Sequence, residues 1–490
     1  MEKDITMAKD TPVSANGSIS DFAIVQSDPV AEKAVLRKID RVVLPLMCLV
    51  YFFQYLDKQA VGYAAVFNLA DDLHMNSDEY SWAVSIFYLG QLTSEYIFIY
   101  LMSRFPISKM VGYMIIIWGI VAGCLAAPSN FAGFAAVRFV LGACEGAVSP
   151  AFVMITAQWY KKSEHPIRIA AWVSCNGGAS IIGALIMYGV GLADNVAITN
   201  WRVMFLICGG ATALCGILFV LLMPQGPETA WFLTETEREI ACQRLLDAGS
   251  VVSEDKPKFQ KSQVLEALKD PFCWAAVLIG FLGTFASPVL KFASLVISGF
   301  GWSPFNTMLV GLPSGFLQIL FIWITVIGIR VTKIPRCYWG VALTALPLVG
   351  NIGIYLIPAS NKWGVVAFTW LATVISPVMV VSLSLMASNI KGNTKKSAVS
   401  NAYFIAYGAA AVAAPQLWQT ADAPRYRKGL TADVICLSCI IVVFLAYRIF
   451  VLRENKRRDA LEIGGESADA EGHGSADMTD RQDMALRYVD

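Results

Sequence analysis

Twelve apolar runs, each about 20 residues or longer, follow one another along most of the 490-residue chain. A helix of about 20 residues crosses the ~30 Å hydrocarbon core of a bilayer, and it satisfies its backbone hydrogen bonds internally, as lipid requires. The runs predict an all-α membrane protein with 12 transmembrane helices in two six-helix bundles, separated by a polar stretch from Pro224 to Asp270. The runs are Val42–Val61, Tyr80–Leu101, Met110–Ala127, Phe131–Tyr160, Ile167–Leu192, Val203–Met223, Phe272–Ser298, Asn306–Ile329, Tyr338–Ile357, Trp363–Ile390, Ser397–Trp418 and Ala432–Val451.

The composition agrees with a membrane protein and narrows the classes of function. Of all residues, 56% are hydrophobic and 15% are charged, whereas a soluble domain carries about a quarter charged residues. The formal net charge of +1 provides no basic field for nucleic acid. The three histidines, His74, His165 and His473, fall outside the apolar runs, so we expect no histidine-based metal site within the bilayer.

Patterns of catalysis and of ATP use are absent from the sequence. There is no G-x-x-x-x-G-K-[ST], so we do not expect ATP to be the energy source. A Ser/His/Asp set would need a histidine at membrane depth, and the sequence places none there. We therefore expect no enzyme activity and no cofactor, and we interpret the eleven cysteines as small apolar residues rather than a disulfide framework.

The lysines and arginines of the short loops predict the orientation of the chain. Eleven of them lie on one side and five on the other, so the basic side is expected to be cytosolic, together with both termini. A capping pattern at Thr234–Glu237 predicts a helix in the linker. The predicted domains are a disordered cytosolic tail at 1–36, the N-terminal six-helix bundle at 37–223, a cytosolic linker with an amphipathic helix at 224–270, the C-terminal six-helix bundle at 271–452 and a disordered cytosolic tail at 453–490.

Arg138 and Glu145 are the two charged residues of the fourth apolar run. Seven residues make nearly two helical turns, so the two side chains share one face and lie roughly 10 Å apart along the axis. That distance is too long for a direct ion pair. An isolated charge in hydrocarbon costs a few kcal/mol, so each must find its own partner, water or ligand. We interpret this face as part of a transport pathway, with an ion-pair staple between helices as the alternative.

Depth estimates rank three carboxylates as proton-binding groups. Glu145 is the first choice because it lies near the midplane, where gain or loss of a proton is a usable switch. Asp57 is the second choice, and we expect it to neutralise Arg138 when no ligand is bound. Glu95 is the third, although a structural role near the cytosolic face is equally expected. Lys58 should point away from Asp57 by ~100° and extend outward to water.

Candidate contacts for a substrate are one further cation and several neutral side chains. Lys291 lies deep in the seventh apolar run, so it either reaches the outer headgroups or faces the cavity and attracts an anion. The neutral side chains either join neighbouring helices by hydrogen bonds or contact the ligand. They are Asn176, Tyr407, Tyr403, Asn401 and Gln318.

The six-plus-six layout, the basic turn Ser103–Lys109 and the Arg-x-x-x-Gly-x-x-Glu pattern from Arg138 to Glu145 resemble the major facilitator superfamily. Further short motifs resemble its fungal anion:cation symporter family, in the allantoate permease branch. These motifs span the whole membrane domain. They are Tyr55–Lys58, Tyr80–Trp82, Phe87–Gly90, Asn176–Gly177, Trp201–Arg202, Gly299–Trp302, Leu312–Gly315, Thr394–Lys396, Pro415–Trp418 and Asp422–Tyr426.

The resemblance implies a secondary active transporter that takes up a small organic anion together with protons, by alternating access between two six-helix bundles. A carboxylate, a vitamin-like acid or a ureido acid would be the substrate, with Arg138, Glu145 and Asp57 on the central pathway. Two alternatives stay open: an exporter that exchanges protons for a metabolite or drug, and a nutrient sensor without net flux. We expect a monomer in the plasma membrane, with a vacuolar or other internal membrane as the alternative.

Overall fold

The computed structural model describes residues 29–102, 104–146, 148–192, 198–247, 259–463 and 477–490, and the regular secondary structure in these ranges is helical. The α-helices in chain order are α1 Pro29–Val66, α2 Leu69–Asp72, α3 Ser77–Met102, α4 Ile107–Cys124, α5 Phe131–Glu145, α6 Val148–Trp159, α7 His165–Gly191, α8 Asn200–Leu222, α9 Glu235–Asp247, α10 Lys261–Lys269, α11 Pro271–Phe285, α12 Val289–Gly299, α13 Pro304–Val331, α14 Arg336–Leu356, α15 Lys362–Ala372, α16 Ser376–Asn389, α17 Asn393–Ala413 and α18 Arg427–Ile463.

These helices make twelve membrane crossings. Eleven segments are long and apolar enough to span a bilayer. The twelfth is α3, whose 26 residues extend about 39 Å although acidic residues lower its hydropathy. Six crossings precede the α9–α10 segment and six follow it, which confirms the predicted fold class.

Three crossings are built from two helices rather than one, namely α5 with α6, α11 with α12, and α15 with α16. An interrupted helix leaves backbone groups unpaired at membrane depth, which is tolerated where protein or a cavity surrounds them. The first interruption follows Glu145 directly, and the second lies just before Lys291. Both candidate site residues therefore stand beside a break in their crossing.

The two halves meet along three pairs of helices: α7 with α13, α1 with α12, and α3 with α17. The backbones of α7 and α13 touch at Gly177 and Gly315, where a Cβ on either residue would overlap the carbonyl of the other. Ser81 at the start of α3 donates to the carbonyl of Trp418 at 3.0 Å. Ser85 donates to the carbonyl of Val412 at 2.8 Å. These two bonds lie far from α9 and α10, so the halves are in contact on that membrane face.

The first helix begins earlier than the sequence predicts, at Pro29, and continues to Val66. The prediction of a disordered tail at 1–36 is therefore wrong for residues 29–36, while residues 1–28 lie outside the described residues. The extension is held by the linker helix α9, because Lys38 Nζ lies 2.6 Å from Glu237 and Arg244 pairs with Glu32 at 3.4 Å. Charge pairs with a distant segment outweighed a local composition that favours disorder.

The C-terminal residues 477–490 pack on the C-terminal half, so the prediction of a disordered tail at 453–490 is wrong for the described part of it. The helix α18 itself continues to Ile463. The ring of Tyr488 lies 4.6 Å from that of Phe272, and Asn389 donates to the carbonyl of Val489 at 2.7 Å. The tail was predicted from its polar composition, but its final residues carry an aromatic anchor and paired charges.

A buried charge cluster joins this C-terminal segment to the linker and to α17. Lys395 Nζ lies 2.9 Å from Glu266, 2.6 Å from Asp270 and 2.8 Å from Asp480. The three carboxylates are close enough to one another to hold a metal ion. In this structure the ammonium of Lys395 occupies the centre instead, and its side chain is fully buried.

Replacing Lys395 by methionine is expected to destabilise the C-terminal half by about 3–5 kcal/mol, because it leaves three buried carboxylates without their cation. Thermal unfolding of the purified protein in detergent, with protease access to residues 477–490, measures the effect. The matched control is Lys391→Met, whose pair with Asp483 has 45% and 27% exposed side chains and should contribute less than about 1 kcal/mol. Equal effects of the two substitutions would contradict the cluster's role.

The exposed pair adds a pH dependence of known sign. The Lys391 ammonium lowers the pKa of the Asp483 carboxyl through a hydrogen bond. A carboxyl whose pKa is lower in the folded state stabilises that state at neutral pH, and the contribution is lost as the pH falls through the lowered value. Docking of the C-terminal segment is therefore expected to persist at neutral pH and weaken on strong acidification.

Candidate functional site

Lys58 of α1 and Glu145 at the end of α5 form a buried ion pair. Lys58 Nζ lies 2.7 Å from Oε1 of Glu145, whose side chain is completely buried. The second carboxylate oxygen, Oε2, has no hydrogen-bond partner among the described residues. The outward orientation predicted for Lys58 is wrong, because Glu145 offers an opposite charge at the same depth. A proton added to Glu145 would abolish the attraction that holds Lys58 in place.

Arg138 lies two turns before Glu145 on α5 and is only 2% exposed. Its Nε donates to the carbonyl of Ala83 at 3.2 Å, and its guanidinium carbon lies 5.1 Å from the centre of the Phe87 ring. Lys58 Nζ lies 5.6 Å from the same ring centre. One guanidinium nitrogen, Nη1, has no hydrogen-bond partner in the described part of the chain. Arg138 thus keeps a donor available for a ligand.

Lys291 of α12 is turned into the protein rather than toward headgroups. Its Nζ donates to Oε1 of Gln59 at 2.9 Å and lies 5.0 Å from the centre of the Tyr55 ring. The backbone permits this approach because Gly62 lies against the Lys291 carbonyl, where a Cβ would stand 2.6 Å from the oxygen. Lys291 therefore joins the charged site from the opposite half of the molecule.

Lys58, Arg138 and Lys291 line one narrow cavity between the two halves, which we call the cationic cavity. Its remaining walls are largely apolar and include Phe87 and Tyr88. Three cations face this space, and the ion pair with Glu145 neutralises one of them. Like charges in a low-dielectric site repel one another strongly. The arrangement therefore favours an anion over a neutral or cationic molecule.

A second cavity lies next to the first and is lined by uncharged side chains of α1, α7, α12, α13 and α15. We call it the neutral cavity. Gln318 of α13 is one of its lining residues, as predicted for a ligand contact, and is 1% exposed. Gln59 also lines it, and through its bond to Lys291 it connects the two cavities.

Asp57 does not neutralise Arg138, contrary to the sequence-based hypothesis. Its Oδ2 accepts a hydrogen bond from Nε1 of Trp118 at 2.7 Å and from Oγ1 of Thr212 at 3.3 Å. The residue after Asp57 on the helix is Lys58, and neighbouring side chains diverge by about 100°. With Lys58 facing the cavity, Asp57 is directed to the packing of α1 against α4 and α8. Its second oxygen, Oδ1, has no hydrogen-bond partner among the described residues.

The remaining predicted residues lie at different distances from the two cavities. Tyr407 of α17 is within electrostatic range of Lys58 and Glu145. Asn176 is 9% exposed and has an unpartnered Oδ1 within the described residues, one position before the helix contact at Gly177. Neither residue lines the cavities described above. Their roles as substrate contacts stay predictions.

Tyr403, Asn401 and Glu95 are farther from the charged site. The Tyr403 hydroxyl donates to the sulfur of Met379 at 3.5 Å, and its ring lies against Gly280, so it packs within the C-terminal half. Asn401 is exposed and Glu95 is partly exposed. None of the three lines a described cavity.

Sequence reasoning missed Lys58 and Gln59 as site residues. A signal for Lys58 existed, since any ionisable residue at membrane depth is a candidate for function. The pairing partner could not be chosen from the sequence, because Asp57, Glu95 and Glu145 all lie at depth. Gln59 carried a weaker signal, as one amide in an otherwise apolar turn.

The chain matches the family model described as Major Facilitator Superfamily over residues 47–415, well over half of its length. It belongs to the major facilitator superfamily, in the fungal branch that contains allantoate permease. Allantoate permease of Saccharomyces cerevisiae is 34% identical to it over 487 residues, covering 95% of this chain and 88% of the permease.

Other curated relatives cover the chain equally well. An uncharacterized transporter of Schizosaccharomyces pombe is 37% identical over 476 residues, covering 96% of this chain and 88% of the relative. The thiamine pathway transporter of Saccharomyces cerevisiae is 31% identical over 464 residues, covering 93% and 86%. These relatives confirm the resemblance drawn from the short motifs.

Solved transporters share the fold at low sequence identity. The proton:xylose symporter XylE bound to 6-bromo-6-deoxy-D-glucose has a TM-score of 0.62 and 14% identity, covering 84% of this chain and 95% of that one. A bacterial homologue of the lysosomal transporter Spinster in an inward-facing, unoccupied state has a TM-score of 0.60 and 13% identity, covering 87% and 98%. The chain is thus a multi-pass membrane protein of a secondary transporter family.

Proposed function

We propose that the protein is a proton-coupled symporter of a small organic anion that works by alternating access between its two halves. The observation that carries the proposal is the buried pair of Lys58 and Glu145, which stands beside the available donor of Arg138 and the ammonium of Lys291. A carboxylate group fits such a site, because charge-assisted hydrogen bonds to lysine and arginine are its strongest contacts.

Coupling follows from competition for Lys58. While Glu145 is ionised, it neutralises Lys58 and weakens the attraction of the cavity for an anion. When Glu145 binds a proton, Lys58 becomes a third cation for the substrate. By linkage, an anion bound to Lys58 favours the proton on Glu145 by the same factor. Proton and anion therefore bind together, and the loaded cavity carries less net charge when the halves rock past one another.

The relatives support the chemical class of the substrate. The name of allantoate permease specifies an organic anion, and that permease aligns with nearly the whole chain. We infer that the substrate of this protein is a carboxylate, in the range of vitamin-like and ureido acids. We also propose that the protein works as a monomer in the plasma membrane, as expected for a fungal permease.

Flux in liposomes tests the proposed function. Purified protein is reconstituted with a pH dye inside, and a panel of small carboxylic acids is offered with an inward proton gradient. We expect uptake above equilibrium and acidification of the lumen for at least one acid, both absent from protein-free liposomes. Protons leaving as the acid enters would support antiport instead, and binding without flux would support a sensor.

A further inference from the structure

The neutral cavity next to the charged site has no role in anion binding or proton coupling. Its lining comes from both halves and contains amides, hydroxyls and a tryptophan but no acidic or basic side chain. A buried cavity of this composition would be costly to keep if nothing used its polar groups, because unpaired polar atoms lose their water on burial.

A single hydrogen bond separates the two cavities. Lys291, which lines the cationic cavity, donates to Oε1 of Gln59, which lines the neutral one, at 2.9 Å. The amide nitrogen of Gln59 donates weakly to the carbonyl of Leu290 at 3.4 Å. A ligand whose carboxylate engages Lys291 competes with Gln59 for the ammonium. The rest of such a ligand then extends toward the neutral cavity.

Most polar side chains of the neutral cavity already have partners within the protein. The Tyr63 hydroxyl donates to the carbonyl of Ser180 at 2.8 Å. Hydroxyls on α13 and α15 donate to carbonyls of their own helices, and these groups offer little to a ligand. They are Ser314 at 2.7 Å, Thr369 at 2.8 Å and Thr373 at 2.9 Å.

Two buried groups of α13 differ from these. Oε1 of Gln318 and Oγ1 of Thr307 have no hydrogen-bond partner among the described residues, and both side chains are 1% exposed. An unpaired buried acceptor costs about 1–3 kcal/mol. Gln318 lies in the middle of α13, and Thr307 lies on the same face about 16 Å away along the axis. A small ligand held at the cationic cavity therefore reaches Gln318 first.

We propose that the neutral cavity binds an uncharged hydrogen-bonding end of the transported acid, such as a carboxamide, ureido or hydroxyl group, with Gln318 as the contact. The inference rests on the proposed function and narrows the substrate to a bipartite acid, with a carboxylate at one end and a neutral polar group at the other. A plain fatty acid is disfavoured, because its apolar end leaves the Gln318 amide unpaired.

Calorimetric binding to the purified full-length protein tests this inference without requiring transport. Three pairs of acids of matched shape are compared: succinamate with 4-methylpentanoate, 3-ureidopropanoate with 5-methylhexanoate, and 4-hydroxybutanoate with pentanoate. In at least one pair we expect the polar member to bind at least about tenfold more tightly, since a site built for hydrogen bonds rejects the apolar analogue.

Gln318→Met, which keeps the length of the side chain and removes the amide, should reduce that ratio to about one. Thr325→Val is the matched control. Thr325 is buried on the same helix, lies outside the cavity and donates to the carbonyl of Phe321 at 2.6 Å. The control should keep the preference. Unchanged binding of the apolar acid by Gln318→Met verifies that this variant is folded.

The outcomes separate the two proposals. Equal affinities within all three pairs would overturn the neutral subsite and leave the proposed anion transport intact. A polar preference that survives in Gln318→Met would also overturn it, since another group would then make the contact. Failure of every acid to bind would contradict the proposed function, and the inference that depends on it would fall as well.

Discussion

Proton-driven accumulation of the organic acid is expected to be lost, by on the order of 100-fold, when Glu145 is replaced by glutamine. Glutamine imitates the protonated carboxyl, so Lys58 stays available to the anion at every pH. Binding should therefore persist and become independent of pH, while the proton no longer contributes driving force. The size follows from coupling free energies of typically 1–3 kcal/mol between linked sites. Gradient-driven uptake and substrate exchange without a gradient, measured in the same liposomes, separate the two effects.

Two comparison variants show which carboxyl is responsible. Asp57→Asn keeps an acceptor for Trp118 and Thr212, so uptake should remain proton-coupled if Glu145 is the carrier. Asp78→Asn removes an exposed carboxylate at the start of α3 and should leave uptake unchanged. Loss of coupling in Asp57→Asn together with normal coupling in Glu145→Gln would reverse the assignment. Parallel loss in both would indicate that the carboxyls act as a linked pair.

Affinity for the acid is expected to fall by about 100-fold when Arg138 is replaced by glutamine. Removing one partner of a buried, hydrogen-bonded charge pair typically costs 2–5 kcal/mol, and tenfold in affinity corresponds to 1.4 kcal/mol. Arg138→Lys should lie between the two proteins, since an ammonium keeps the charge but cannot offer a two-pronged contact. Calorimetric titration with the acid at neutral pH measures the three affinities.

The control for Arg138 is an arginine of equal charge outside the site. Arg427 is exposed at the start of α18, and Arg427→Gln should leave the affinity within about twofold, because surface charges contribute little. A similar loss in both variants would mean that long-range charge, rather than contact in the cavity, attracts the acid. Unaltered affinity in Arg138→Gln would remove Arg138 from the binding site.

The N-terminal half illustrates how far local reasoning reached within the site. The depth of Arg138 and Glu145 and their shared face followed from helical spacing. The partner of each charge did not follow from spacing. Lys58 was expected to leave the protein toward water, and in the structure it is the ion-pair partner of Glu145. A rotation of about 100° between adjacent side chains exchanges the cavity-facing position between Asp57 and Lys58.

The chain ends show the same limit in another form. Composition correctly identified polar termini, but it could not show that Lys38 pairs with Glu237 or that Tyr488 packs on Phe272. Each of these contacts joins segments that are far apart along the chain. Order at such a segment depends on a partner surface that a window of neighbouring residues does not contain.

The sequence by itself determined that this protein crosses the membrane twelve times in two halves and carries charges at depth. Those properties depend on the length of apolar runs and on the placement of charged residues, which are local quantities. The tertiary structure alone decided which charges meet, since the Lys291–Gln59 bond spans 232 positions of the chain. The rotation and close approach of separate helices set these contacts, because each buried charge takes whichever partner the folded chain brings to its depth.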